Sequence, residues 1–346
     1  MKTGKFASRH LTQTCIAATG LVSALCIQSA IAAPAVDADA AARASWSTFM
    51  SNNPTSEAGC FEAAYPNYLW AKVACETVTP RAHPVRKAPK PASAEVTGNG
   101  DDYVAQSSGL TTKAVGSFPT VTGVTSEKSV GVAAFGGGGI LGNNEYSLQV
   151  NTNFTGTTSV CAGHSGCTVW QQFIYAPDYA VTGQAAVFMQ YWLIGWGSSR
   201  CPSGGWESDG GGDCFRNSAI KSAPDEPITA LGSFTLTGAA VAGGNDTVTF
   251  TVGSTAYSLS AADSVTDISA VWKQTEFNVV GNAGGSRATF NKGASVTVKV
   301  ALTDGSTAAP TCVADSGSTG ETNNLNLGSC TASSGTSPSI QFTESD

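Results

Sequence analysis

The sequence predicts an all-β protein, a two-sheet antiparallel β-sandwich of the concanavalin-like or jelly-roll type. Three observations predict it. Only 12% of the 346 residues are charged, and Gly, Ser, Thr, Ala and Val dominate, which is a secreted all-β composition. About a dozen short segments rich in Val, Thr, Phe and Tyr are bounded by Gly, Asn, Asp and Ser. Eight cysteines beyond the leader fall into four local couples. They are Cys60/Cys75, Cys161/Cys167, Cys201/Cys214 and Cys312/Cys330, and they read as a disulfide framework of an exported chain.

The first segment, 1–32, reads as a signal peptide. Lys2, Lys5 and Arg9 form a positive start, an apolar stretch follows to Ile31, and Ala30-Ile31-Ala32 fits a small-residue cleavage site. The apolar stretch is too short and interrupted for a membrane span. A secreted product, extracellular or periplasmic, is expected. Residues 33–79 hold Trp46, Phe49, Phe61, Tyr65, Tyr68 and Trp70 and read as a small, partly helical propeptide. Residues 80–95 form a linker rich in proline and basic side chains, exposed to proteases. An interaction module on a stiff tether is the alternative.

The sandwich is expected over 96–346. Its strands are predicted at Tyr103–Gln106, Thr112–Val121, Tyr146–Thr152, Thr168–Ala176, Ala186–Ile194, Ile228–Leu236, Thr247–Val252, Thr255–Leu259, Glu276–Val280, Arg287–Phe290, Ser295–Leu302 and Ser339–Thr343. Ser295–Val300 alternates strictly and puts three valines on one face. Asp263–Trp272 is the one expected helix or helical turn. Gly136–Gly139 is a flexible loop, because no Lys-Ser/Thr follows it to cradle phosphate.

From Glu95 onward 20 acidic and 9 basic side chains give a formal charge of −11. Nucleic acid and anionic membranes are therefore excluded as expected partners. Histidine occurs only at His10, His83 and His164, so a two- or three-histidine zinc site is excluded for the sandwich. His164 lies in the tight Cys161–Cys167 loop and reads as a bystander. Glu207, Asp209 and Asp213 in the Cys201–Cys214 loop offer hard oxygens for calcium but lack EF-hand spacing. No cofactor is expected, and the protein is expected to be a monomer.

What remains for catalysis is carboxylate, amide and aromatic chemistry, concentrated in two segments. Thr168–Tyr175 carries Gln171 and Gln172, which in a strand must point to opposite faces. Ala270–Val280 carries Trp272, Gln274 and Glu276, which share a face if the segment is extended throughout. A carboxylate beside Trp and Phe suits general acid/base work in acid. Structurally, Gln171 could simply bond a neighbouring loop, and Glu276 could pair with Arg287 or Lys299.

Five segments resemble the eqolisin-type glutamic peptidases. Asp101–Gln106 resembles their opening strand, and Ala114–Val121 the next one. Gly166–Gln171 stands where the family carries its glutamine, and Met189–Trp196 resembles the aromatic strand of its cleft. Ala270–Trp272 with Glu276-Phe277 resembles the segment carrying its glutamate. The family places that glutamate three residues after the Trp, where this chain has Thr275, and a one-residue slip reverses the face of a strand unless a bulge restores it. The resemblance, over about residues 100–300, implies a secreted acid endopeptidase acting on protein or peptide substrates. It implies Gln171 and Glu276 as the catalytic dyad and Tyr191, Trp192 and Trp196 as substrate-binding residues, with neither histidine nor metal. The alternatives are a non-catalytic sandwich that stacks aromatic side chains on glycan, and a polysaccharide-cleaving enzyme.

Overall fold

The computed structural model describes residues 38–79, 102–197, 200–314 and 321–346. The expected leader and the proline-rich linker lie outside the described residues. In chain order, helix α1 (Ala38–Asn52) is followed by β1 (Gly59–Ala64), β2 (Ala71–Val73), β3 (Tyr103–Gln106), β4 (Lys113–Thr122), β5 (Glu127–Gly131), β6 (Gly142–Asn143), β7 (Tyr146–Thr152), β8 (Thr168–Val181) and β9 (Gln184–Ile194). Then come β10 (Glu207–Ser208), β11 (Cys214–Asn217), β12 (Lys221–Pro224), β13 (Phe234–Ala239), β14 (Asn245–Val252), β15 (Thr255–Ala262), β16 (Gln274–Gly281), β17 (Ser286–Phe290), β18 (Ser295–Thr303), β19 (Thr311–Ala314), β20 (Thr322–Asn323), β21 (Asn326–Leu327), β22 (Thr331–Ser333) and β23 (Ser339–Ser345).

Two large antiparallel sheets pack face to face, as the sequence predicts. The back sheet has the order β2-β1-β15-β14-β13-β4-β18-β23-β21, with β22 also on β23. The front sheet has the order β10-β11-β9-β8-β7-β16-β3-β19, with β12 also on β9. A small sheet, β20-β17-β5-β6, closes one side. Alternation decides which side chains meet between the sheets. In β18, Val296, Val298, Val300 and Leu302 turn inward and are buried, while Ser295, Thr297 and Lys299 turn outward. From the front sheet Val169, Phe173 and Tyr175 of β8 and Phe277 and Val279 of β16 enter the same core.

Two back-sheet glycines let aromatic rings close the gap. A Cβ on Gly116 would lie 2.2 Å from the Phe277 ring, and one on Gly238 would lie 2.5 Å from the Phe173 ring. No side chain fits at either position without moving a ring.

Residues 38–79, expected as a small, partly helical unit, form α1 and a hairpin that continues the back sheet. β1 pairs with β15 over six residues. Trp46 and Met50 of α1 are fully buried, and Ser51 Oγ lies 2.8 Å from Thr251 Oγ1 of β14. The described residues from Asp39 onward form one compact unit.

All four cysteine couples are bonded as their spacing suggests: Cys60–Cys75, Cys161–Cys167, Cys201–Cys214 and Cys312–Cys330. Their partners are not equally covered. Cys60 of β1, Cys161, Cys167 and Cys214 are buried. Cys75, two residues past the end of β2, is exposed, and Cys330, just ahead of β22, is only partly covered. Cysteine is among the most buried residue types, so Cys75 departs from the usual pattern, while Cys201, Cys312 and Cys330 are partly covered and pack against the core. Cys75 stands in a loop beside β2, where the bond rather than packing holds it. Cys75 is thereby fastened to the hairpin of the expected propeptide. Cys330 fastens the approach to β22, on the back sheet, to Cys312 of β19, at the edge of the front sheet.

No helix among the described residues is long and apolar enough to cross a membrane. Asp263–Trp272 holds two 3-10 turns, Asp263–Val265 and Ile268–Ala270, in keeping with the expected helical turn. One strand is corrected. Ile228–Leu236 begins as a 3-10 turn over Ile228–Ser233 and becomes β13 only at Phe234. Its buried residues Ile228 and Leu231 are three apart, a helical spacing rather than an alternating one.

Gly116→Ala is expected to lower stability by about 1–3 kcal/mol through overpacking against Phe277, read as a lower urea midpoint. Adding Phe277→Leu is expected to recover part of that loss.

Candidate active site

Three central strands of the front sheet, β8, β7 and β16, are buried on both faces. Their inward positions are mostly apolar. Their outward positions carry a row of polar side chains set by register: Gln172 pairs with Asn151, and Asn151 pairs with Glu276. Paired residues of antiparallel strands project to the same side. The row spans two strand spacings, about 10 Å between the outer Cα atoms.

Polar groups shut from water must bond one another, and these do. The Asn151 amide Nδ2 donates to Glu276 Oε2 at 2.8 Å. Gln172 Nε2 donates to Asn151 Oδ1 at 3.1 Å and to Gln149 Oε1 at 2.9 Å. Gln149 Nε2 in turn donates to Glu321 Oε2 at 2.8 Å and to Ser147 Oγ at 2.9 Å. Two carboxylates, Glu276 and Glu321, thus stand at the ends of a chain of three amides. Glu276 and Gln172 are each 1% exposed, so the site is closed in this form of the chain.

Aromatic and aliphatic side chains flank the row on the same face. Trp192 lies opposite Trp170 and donates from Nε1 to Gln190 Oε1 at 2.9 Å and to Gln172 Oε1 at 3.3 Å. Trp170, Trp192, Phe154 and Phe215 form one cluster, while Ile174, Phe188 and Tyr179 belong to another. A cavity of about 50 Å³ opens beside Gln172, lined also by Gln149, Ile174, Phe188, Gln190 and Glu321.

The expected dyad is not brought together. Gln171 points to the inner face, away from Glu276, and is fully buried. Its Nε2 donates to Asp246 Oδ2 of β14 at 2.9 Å, and its Oε1 accepts from Thr266 Oγ1 at 2.7 Å. Gln171 is therefore a tie between the sheets, bonded to a neighbouring loop. Gln172 is the glutamine that shares the face of Glu276. Burial, and next the Asp263 carboxyl, push the Asp246 carboxyl up to about 8.

The glutamate segment differs as well. Extended structure starts at Gln274, so Trp272 does not share the face of Glu276. Trp272 is buried against Phe173, with ring centroids 5.6 Å apart, and its Nε1 donates to the Gln274 carbonyl and to Thr275 Oγ1. Phe277 packs inward on Phe118. The apolar surroundings expected around Glu276 from these two rings lie on the other side of the sheet.

Of the three expected substrate-binding residues, only Trp192 is beside the row. Tyr191 faces the core, where burial and the Asp246 carboxyl push its phenol up. Trp196 lies past the end of β9, stacked on His164 with centroids 3.3 Å apart, and His164 Nδ1 bonds the Trp196 carbonyl at 2.7 Å. That histidine fastens its loop. The Cys201–Cys214 loop spends Asp209 Oδ1 on the amides of Gly211 and Asp213, and among the described residues no three His, Cys, Asp or Glu gather as a metal site.

Gln149, Asn151 and Glu321 were missed by sequence reasoning, and Gln172 was named only as the neighbour of Gln171 on the opposite face. The alternation of Gln149 and Asn151 with Leu148 and Val150 was the available signal.

Gln171→Ala is expected to cost about 1–3 kcal/mol by stranding buried groups, while the near-UV spectrum of the outward tryptophans is retained. Urea unfolding in acid, with circular dichroism, measures both. No family model, curated protein or solved structure matches the chain.

Proposed function

We propose that the chain is an exported hydrolase that cleaves peptide bonds in acid, with Glu276 as the general base and the Gln172 amide as the oxyanion donor. The observation that supports this most is the shared outward face of Glu276 and Gln172, joined through Asn151 by bonds of 2.8 and 3.1 Å. A carboxylate can take a proton from a water that attacks the scissile carbonyl and return it to the leaving amine. An amide N–H set nearby can stabilise the charge that develops on the carbonyl oxygen. Neither step needs histidine or metal.

The reading carries a condition. Both Gln172 Nε2 hydrogens are spent, on Asn151 and Gln149, so substrate must displace one of them. A latent form fits this, with residues 33–79 as the propeptide. The four disulfides fit an oxidising compartment. The resemblance to glutamic peptidases supports the same chemistry with the glutamine moved by one position.

A second reading rests on Glu321. Two buried carboxylates on one network also suit glycoside hydrolysis by an acid and a base, and the flanking tryptophans suit sugar rings.

Acid-treated protein is expected to degrade a denatured protein substrate. Gln172→Ala and Glu276→Gln should each lower the rate by about 100-fold or more, while Gln171→Ala, assayed below its melting temperature, stays within a few-fold. Full activity in Gln172→Ala removes the amide from the mechanism. Cleavage of polysaccharide in place of protein, lost in both Glu276→Gln and Glu321→Gln, selects the second reading.

A further inference from the structure

The proposed chemistry leaves one member of the outward face unused, the Trp192 indole. A side-chain amide has two unlike ends of similar shape: the oxygen accepts and the nitrogen donates. Gln172 can stabilise an oxyanion only while its nitrogen faces the row. Its neighbours decide which end that is.

Gln172 Nε2 donates to Asn151 Oδ1 at 3.1 Å and to Gln149 Oε1 at 2.9 Å. Those two amides donate onward to carboxyl groups, Asn151 to Glu276 and Gln149 to Glu321. On its other side, Gln172 Oε1 accepts from Trp192 Nε1 at 3.3 Å. The bonds therefore run in one direction, from the indole to the carboxyl groups. An indole N–H donates at every pH and never accepts, whereas a carboxyl group becomes a donor once protonated. In acid, the indole is the end that still fixes which way the Gln172 amide faces.

The indole is itself held in place. Trp192 is 1% exposed, and its ring packs against Trp170 and Phe215, with centroids 6.1 and 5.4 Å away. Its N–H is shared with Gln190 Oε1 at 2.9 Å. Gln190 in turn donates to Asn217 Oδ1 of β11 at 2.8 Å, and Asn217 Nδ2 donates to the Tyr179 hydroxyl at 2.8 Å. The Gln190 amide is thereby turned with its oxygen to the indole.

We propose that Trp192 is a positioning residue of the candidate site. Its indole N–H holds the Gln172 oxygen, and so keeps the Gln172 nitrogen toward the row when a substrate carbonyl displaces Asn151 or Gln149. Turned the other way, Gln172 would set its NH2 against the indole N–H and its oxygen against the oxygens of Asn151, Gln149 and the substrate. This gives Trp192 a task other than the substrate contact expected from the sequence. The consequence for catalysis rests on the peptidase reading, while the orientation rests on the hydrogen bonds alone.

Trp192→Phe removes the N–H and keeps a ring. In the full chain, labelled with nitrogen-15 at Gln and Asn and observed by NMR in acid, the Gln172 side-chain amide hydrogens of this variant are expected to exchange with water about 10-fold or more faster than in the wild type. Trp170→Phe makes the same change of ring in the same cluster and is expected to leave that exchange within a few-fold. No rise in Trp192→Phe, or an equal rise in both variants, overturns the proposal. Where Trp192→Phe does not fold, the wild-type spectrum decides. Cross-peaks from the Gln172 amide hydrogens that are stronger to the Asn151 amide than to the indole hydrogen support the orientation, and the reverse overturns it. With a peptide substrate, Trp192→Phe is expected to lower kcat about 10-fold or more at nearly unchanged KM. In the Gln172→Ala background it should lower kcat no further, because it acts through that amide. An equal fall in that background overturns the positioning role. A wild type that cleaves no peptide removes the peptidase reading, and the amide exchange then decides the orientation by itself.

Discussion

The central strands of the front sheet are covered on both faces, yet they alternate apolar and polar side chains. Everything else about the site follows from that constraint. A strand with one face in water can leave polar groups to the solvent, and β18 does so with Thr297 and Lys299. β7, β8 and β16 have no such outlet. Their polar side chains must satisfy one another, because an unpaired buried amide or carboxylate costs more than the net gain of a hydrogen bond. The result is a connected row in which register alone decides who meets whom.

The same period of two sorts the consecutive glutamines into different tasks. Gln171 ties the sheets together through Asp246 and Thr266, while Gln172 joins the outward chain of amides that ends at Glu276 and Glu321. One strand therefore has a structural polar network on its back and a candidate chemical one on its front. The close approach of the sheets at Gly116 and Gly238, where the rings of Phe277 and Phe173 fill the space of a side chain, holds this arrangement rigid.

Much of the fold was legible. The alternation of β18, the turn residues and the cysteine spacing lead directly to a disulfide-braced sandwich. Spacing could pair Cys60 with Cys75 and Cys312 with Cys330, but not say that Cys75 stands outside the core while Cys330 packs against it, since that depends on where β2 and β22 end. The choice between Gln171 and Gln172 was not legible locally. Trp170, Gln172 and Ile174 alternate with Val169, Gln171 and Phe173, and both sets look like a core face. With both faces buried, hydropathy loses the contrast that tells inside from outside. The Trp272–Glu276 spacing misled for a related reason. The 3-10 turn ends at Ala270 and extended structure begins only at Gln274, so counting alternate residues back to Trp272 runs past the start of the strand. The β7 residues Gln149 and Asn151 were legible as alternating polar positions, but only the pairing of three strands places them between the glutamine and the glutamate. The short strands β5, β19 and β20–β22 lack the apolar runs that announce a strand and exist because a neighbour offers them an edge.

The central claim is the facing of Gln171 and Gln172. Nuclear Overhauser effects from the side-chain amides, in protein labelled selectively at Asn and Gln, read it directly. The account predicts contacts of the Gln172 amide with the Asn151 amide and the Trp192 indole, and of the Gln171 amide with the Met189 methyl and the Thr266 side chain. Contacts of the Gln171 amide with Asn151 would contradict it and return the dyad to the opposite phase of β8.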